Sequence, residues 1–290
     1  MRAALLVCFT LLGLGGCPAR REVAPRPPAL RVAVSPSTPP YAFKQGGQLV
    51  GLEVDFAREL AAALGRPLDL VEIDWGDLIP AVRTRRADIL MAGMTVTRAR
   101  QVQIAFSDPY LRSGLLTVMR KEDVPRFKTV SRVLGTTEPI GVITGTTAER
   151  FVREHARDAP VMVYPTVQAA MDELRQRRVT LVVHDAPVAI WFAASDEASL
   201  GVLLELLDEE ALGWGLPRDD ETLRSAVNGV LARWRTDGTR DRLLGRWVPY
   251  WQRLETQAAG RESGRQERRR APALSSYRRN PDVCRQREVG

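Results

Sequence analysis

The chain is poor in cysteine, with three in 290 residues. Cys8, Cys17 and Cys284 lie near the ends, and none falls between residues 18 and 283. An internal disulfide is therefore excluded for the middle of the chain, which must rely on its core. A run able to span a bilayer is missing from the N-terminus. Ala3 to Leu14 is apolar apart from Thr10 and Gly13, but a transmembrane helix needs about 20 such residues. Excess charge is missing from the middle. The net charge is +7, yet residues 1–29 hold four arginines against Glu22, and residues 261–290 hold nine arginines against four acids. Residues 30–260 are left at −1. A nucleic-acid groove would have to be basic within the fold, so no nucleic-acid partner is expected.

What is present is an ordinary globular composition, 44% apolar and 27% charged, in a chain long enough for about two domains. Arg2 and the short apolar run read as a secretion signal over residues 1–17. The run ends in Leu14-Gly15-Gly16-Cys17. Small residues before a cysteine resemble a bacterial lipobox, which predicts lipidation at Cys17. The chain would then be exported to the periplasmic side of the cell envelope and tethered to a membrane by its lipid. Residues 18–29 are rich in proline and arginine and read as an extended linker.

From Leu30 the pattern alternates. Strands are predicted over 30–34, 68–73 and 87–92, with an amphipathic helix after Gly51 and a short helix over 78–86. A second unit starts near residue 121. It has strands over 140–143, 161–164 and 179–184, and helices after Gly145, over 166–177 and over 185–194. A helix over 219–236 and an aromatic-rich helical piece over 240–254 follow. Strands alternating with helices imply an α/β fold. Residues 255–290 hold few apolar side chains and read as a disordered basic tail.

Ligands of open α/β sheets bind at the carboxyl ends of strands. Gly93 and Thr95 follow one such end, with Arg100 close behind. Thr147 opens a helix after another, His184 and Asp185 end a third, and Trp75 follows a fourth. A helix N-terminus and an arginine suit a carboxylate. An aspartate suits an ammonium, and a tryptophan face suits packing or a cation. Together they describe a pocket for a free α-amino acid. Each residue also has a plainer reading: Arg100 as one surface arginine of many, Asp185 as a helix cap, Trp75 as core.

Several stretches resemble family 3 of the bacterial extracellular solute-binding proteins. They include Pro39-Pro40-Tyr41-Ala42-Phe43, GLEVDFARELAAALG at 51–65, ADILMAGMTVTRAR at 87–100, FSDPYLRSGLL at 106–116, GVITGTTAE at 141–149 and VVHDAPVAIWF at 182–192. The resemblance covers about residues 30–250. It implies a two-lobed periplasmic-binding-protein-like fold with two crossovers and a ligand cleft between the lobes. Lobe 1 would hold 30–120 and 209–254, and lobe 2 would hold 121–208. The crossovers would fall near Thr117–Arg120 and Glu209–Gly213. The implied partners are a free, polar amino acid and an ABC permease; the implied state is a monomer.

By the same resemblance Arg100 holds the ligand carboxylate, with backbone N–H groups at Thr95 and Thr147. Asp185 holds the ammonium, with the Gly93 carbonyl and the Thr95 hydroxyl. Trp75 forms a wall, Tyr41 is a second aromatic candidate, and His184 meets the ligand side chain. No catalytic residue, cofactor or metal is implied. Two departures stand out: Thr38 occupies a position that is often aromatic, and Ile143 one that is sometimes basic. The alternatives are an enzyme on the same fold, of the cyclohexadienyl dehydratase type, and a ligand-sensing ectodomain. The enzyme would need a general acid, for which His184 is available and no cleft glutamate is evident.

Overall fold

The structure, a computed structural model, describes residues 27–270 and the side chains of residues 27–260. The export signal with Cys17, most of the linker and residues 271–290 lie outside the described residues. Two sheets organise the rest. The first has strand order Leu68–Glu72, Leu30–Val34, Ile89–Leu90, Gly215–Leu216, Ala105–Phe106. Its first three strands run parallel, and Gly215–Leu216 is antiparallel to both neighbours. Leu30, Val32, Ala33 and Val34 are fully buried, as a parallel strand covered on both faces requires. The helix Leu52–Ala63 packs on this sheet through Val54, Phe56, Ala57 and Leu60. A small hairpin sheet, Ser37–Thr38, Ala42–Gln45 and Gln48–Val50, precedes that helix.

The second sheet has strand order Val161–Tyr164, Ile140–Ile143, Leu181–Asp185, Leu111–Arg120, Leu200–Leu203. Helices Thr147–His155 and Val167–Arg175 start directly beyond its strands. Threonine caps both: the Thr146 hydroxyl accepts from Glu149 N–H, and the Thr166 hydroxyl from Ala169 N–H. Such caps leave helix N-termini fixed and pointing at the strand ends.

Two crossovers join the lobes and pair with each other. Leu111–Gly114 runs antiparallel to Glu209–Leu212, with Ser113 opposite Glu210. The same long strand continues as Leu115–Met119 into the second sheet, between Leu181–Asp185 and Leu200–Leu203. The first crossover is therefore Leu111–Gly114 and not Thr117–Arg120. The stretch read as a connection is a buried central strand, whose apolar run marks coverage on both faces. Backbone approach at the crossover is close. A Cβ on Gly114 would lie 2.0 Å from the Asp208 carbonyl oxygen.

An aromatic cluster sits beside these crossovers. Phe56 lies 5.3 Å from Tyr110, 5.4 Å from Trp214 and 5.8 Å from Trp234 between ring centroids. Such pairs add about 0.5–1.5 kcal/mol each beyond area burial. They lock the helix Leu52–Ala63 to both connections and to the helix Glu221–Asp237.

The C-terminal expectation is corrected over residues 255–270. They belong to a helix, Trp251–Arg270, rather than to a disordered tail. Leu254 and Ala258, four residues apart on one helical face, are buried in the main core. A polar composition hides so narrow a stripe, and a helix needs only one stripe to dock.

Candidate ligand-binding site

The strand ends and helix starts of both lobes meet in one cleft. Its lining combines Ser37, Thr38, Trp75, Ala92, Thr95 and Arg100 of the first lobe with Ile143, Thr146, Thr147, Thr166, His184 and Asp185 of the second. The cavity between them is small, about 30 Å³, room for about two waters at the roughly 10–15 Å³ each needs.

Arg100 is held from several sides. Its Nη1 donates to the Thr95 carbonyl at 2.9 Å, and its Nη2 reaches across the cleft to the Gly145 carbonyl at 3.2 Å. The guanidinium carbon stands 5.4 Å from the Trp75 ring centroid, a cation–π contact. Burial lowers its pKa, while Asp185 and Glu210 raise it. The backbone at Gly145 is left-handed, φ 71°, and its N–H donates to Glu149.

Asp185 occupies the N-cap of the helix Ala186–Ser195, yet its side chain makes no cap hydrogen bond. It is 7% exposed. Burial pushes its pKa well up, the Glu210 charge pushes the same way, and Arg100 opposes both. His184 Nδ1 accepts from Asp185 N–H at 2.7 Å, which fixes the ring proton on Nε2 while the imidazole is neutral. Burial lowers the His184 pKa to about 4, so the ring is neutral at physiological pH.

Trp75, Thr95, Arg100, Thr147, His184 and Asp185 are thus brought together. Gly93 stands just behind the lining. Its φ is 66°, and a Cβ there would lie 2.4 Å from the Tyr41 ring. Tyr41 is the correction among the site residues. It is 1% exposed, sits in the first lobe's core and is absent from the cleft lining. The ring follows two prolines into the interior and supports Gly93 from behind. Phe43 turns away as well and packs 5.2 Å from Trp191. Trp75 is left as the aromatic wall, with Thr38 where a second ring was sought.

Sequence reasoning missed Glu210. It is 7% exposed on the second crossover, burial raises its pKa, and it stands outside the residues that line the cleft. The sequence carried no signal for it: that Glu210 shares the inward face of Glu209–Leu212 with Leu212 is seen only in the burial of the folded strand.

The chain belongs to family 3 of the bacterial extracellular solute-binding proteins, whose profile matches residues 30–250. The L-cystine-binding protein of Escherichia coli strain K12 is 28% identical over 219 residues, covering 75% of this chain and 82% of that protein. The ABC transporter arginine-binding protein 1 of the same strain is 26% identical over 254 residues, covering 85% of this chain and 97% of its own length. The structure also matches an ancestral arginine-binding protein bound to arginine, with TM-score 0.71 and 30% identity, covering 76% of this chain and 98% of that one. These proteins are two-lobed, in keeping with the two sheets and paired crossovers described above. Among the described residues no helix is long and apolar enough to cross a membrane.

Proposed function

We propose that the protein is the binding component of an ABC importer and closes its lobes on a free polar amino acid. One observation carries the reading. The Arg100 guanidinium and the Asp185 carboxyl line one cleft from opposite lobes. That separation suits a zwitterion. Arg100 and the N–H groups of Thr95 and Thr147 take the carboxylate; Asp185 and the Gly93 carbonyl take the ammonium. Trp75 packs against the ligand side chain, and His184 selects among side chains as a neutral donor. Charges in a buried site hold the lobes shut only while the ligand neutralises them, so closure reports occupancy to a permease. Lipidation at Cys17 would keep a monomer beside that permease.

A screen of the twenty amino acids by thermal shift tests this, because a ligand at 100 times its dissociation constant adds about 2.7 kcal/mol. Arg100→Ala and Asp185→Ala should each weaken the best ligand by roughly thirtyfold or more, since an unpaired buried charge costs about 2–5 kcal/mol. Parent-like binding by Asp185→Ala would leave Asp185 a helix N-cap residue only. Membrane sedimentation tests the anchor: Cys17→Ala should release the protein.

An enzyme on the same fold is the second reading. Glu210 favours it, as a buried carboxyl on the second crossover whose pKa is raised by burial. His184, neutral with a pKa of about 4, is a poor proton donor at neutral pH. Quantitative recovery of unchanged ligand after long incubation would exclude this reading.

A further inference from the structure

A turn of the second lobe, Thr144-Gly145-Thr146, reaches Arg100 from across the cleft. The Gly145 carbonyl accepts from Arg100 Nη2 at 3.2 Å. A Cβ on Gly145 would lie 3.7 Å from the Trp75 indole nitrogen, and Arg100 stands over that same ring. Gly145 therefore docks on a platform that Trp75 and Arg100 make in the first lobe. A glycine with φ 71° does not hold its carbonyl in one direction unaided, because it lacks the Cβ that narrows the choice of backbone angles.

Both peptides that flank Gly145 are pinned. Thr146 N–H donates to the Ile143 carbonyl at 3.3 Å, and Gly145 N–H donates to Glu149 Oε2 at 2.8 Å. The Glu149 carboxylate is held in turn by Arg153, whose Nε donates to Oε1 at 3.1 Å. In an ordinary capping box the acid at the third helical position returns to the N–H of the cap residue itself. Here Ile143 takes that N–H, and Glu149 reaches one residue further, to the glycine whose carbonyl faces Arg100. Three other helices have a threonine cap that accepts from the third helical N–H: Thr97 with Arg100, Thr129 with Arg132 and Thr166 with Ala169. None of them carries an acid at that place. A threonine alone is therefore enough to start a helix in this fold, and Glu149 serves something beyond the cap. Gly145 is exposed, so water replaces a lost Glu149 acceptor at little cost to the fold.

We propose that Glu149 is a positioning residue for ligand binding: it fixes the Gly145 turn so that its carbonyl meets Arg100 when the lobes close. The Thr95 and Gly145 carbonyls then hold the guanidinium from the two lobes and leave its remaining donors to a ligand carboxylate. The proposal rests on the reading of the cleft as an amino-acid site. Capture takes place with the lobes apart, before Gly145 reaches Arg100, so the contact acts on dissociation rather than on association.

The test uses the full chain throughout. Thermal shift of the parent with each of the twenty L-amino acids selects the one with the largest effect, and isothermal titration and stopped-flow tryptophan fluorescence then follow that amino acid. Glu149→Ala should weaken it by about tenfold, the worth of one net hydrogen bond, nearly all as faster dissociation. Glu149→Gln keeps an acceptor for Gly145 N–H and should bind within about twofold of the parent. In an Arg100→Ala background, Glu149→Ala should add less than about twofold, because the group it positions is gone. Melting of the unliganded single variants should stay close to the parent's. Parent-like dissociation in Glu149→Ala, a glutamine variant as impaired as the alanine one, or a large fall in unliganded melting overturns the proposal alone. So do losses that add in full with Arg100→Ala, which would make Glu149 a capping residue acting through the N–H of Thr147. A parent that responds to none of the twenty amino acids overturns the underlying reading, and the proposal with it.

Discussion

Two buried acidic regions, Glu53 in the core of the first lobe and Asp185 in the lining of the cleft with Glu210 on the second crossover, are built in opposite ways. Glu53, at the start of the helix Leu52–Ala63, is fully buried. It receives three hydrogen bonds: from Gly93 N–H at 2.7 Å, Tyr110 O–H at 2.5 Å and Trp214 Nε1–H at 2.9 Å. Burial raises its pKa to about 7, and all three donors pull the other way. Asp185 and Glu210 are almost as deeply buried, but Asp185 makes no cap bond and Glu210 Oε2 has no donor. A carboxyl saturated by its own protein has no capacity left for a ligand. One that the protein underserves has that capacity, and its burial cost is recovered only when something binds. By this criterion Glu53 reads as structural, and Asp185 as a carboxyl left with capacity for a ligand, in keeping with the site proposed above. The donors to Glu53 come from the strand end behind the cleft and from both approaches to the crossovers, so it fixes the frame on which the pair is mounted.

The sharpest way to break this contrast is Glu53→Ala. It strips the acceptor from three buried donors at once, each costing about 1–3 kcal/mol when left unpaired. Urea unfolding should report a loss of several kcal/mol, about 3 or more on that scale, with the amino-acid preference of the surviving folded protein unchanged. A stability loss confined to the range of an ordinary surface mutation would end the structural reading.

Glu53→Gln is expected to cost less and to reveal itself through pH. The folded pKa of Glu53, about 7, stands above its ordinary 4.5. A raised acid stabilises the fold through its protonated form. That contribution is complete below about pH 4.5 and is lost as pH rises through 7. Parent stability should fall from pH 5 to pH 8 by up to roughly 3 kcal/mol from this group, and the glutamine variant should lack that slope. Matching pH profiles would show that Glu53 does not titrate in this window. Tyr110→Phe removes one donor of the three and should cost about 1 kcal/mol without touching ligand choice.

How legible these regions were in the sequence follows from the same physics. The strands Leu30–Val34, Ile140–Ile143 and Val161–Tyr164 coincide with the apolar runs that predicted them. Arg100, Asp185, Trp75 and His184 were findable because strand ends followed by charged or aromatic residues leave a local trace. Glu210 left none, since its neighbours in space come from three distant segments and its strand reads as a polar linker. Tyr41 misled for the opposite reason. Its local motif fitted an aromatic wall, but the turn through Pro39 and Pro40 sends the ring inward, where Gly93 needs it. The helix beyond residue 254 was hidden by composition, because two small apolar contacts suffice to dock it.

The smallest effect is expected at His184, which sits in the cleft beside Asp185 yet behaves like the satisfied kind of residue. Its Nδ1 accepts from Asp185 N–H, and burial holds its pKa near 4 against an ordinary 6.5. A depressed base stabilises the fold through its neutral form. That contribution is complete above about pH 6.5 and is lost as pH falls through 4. His184→Asn keeps an acceptor for Asp185 N–H and removes the titration. At pH 7.5 its melting temperature should stay close to the parent's, while below pH 6 it should resist acid better. Its ligand preference should change more than its overall grip, because Arg100 and Asp185 still hold the charges common to all α-amino acids. Thermal melts at pH 7.5 and pH 5, with titration of one charged and one neutral amino acid, check both parts. An Asn variant that loses binding to every amino acid alike would move His184 from side-chain selection to the common grip, and would place it with Asp185 rather than with Glu53.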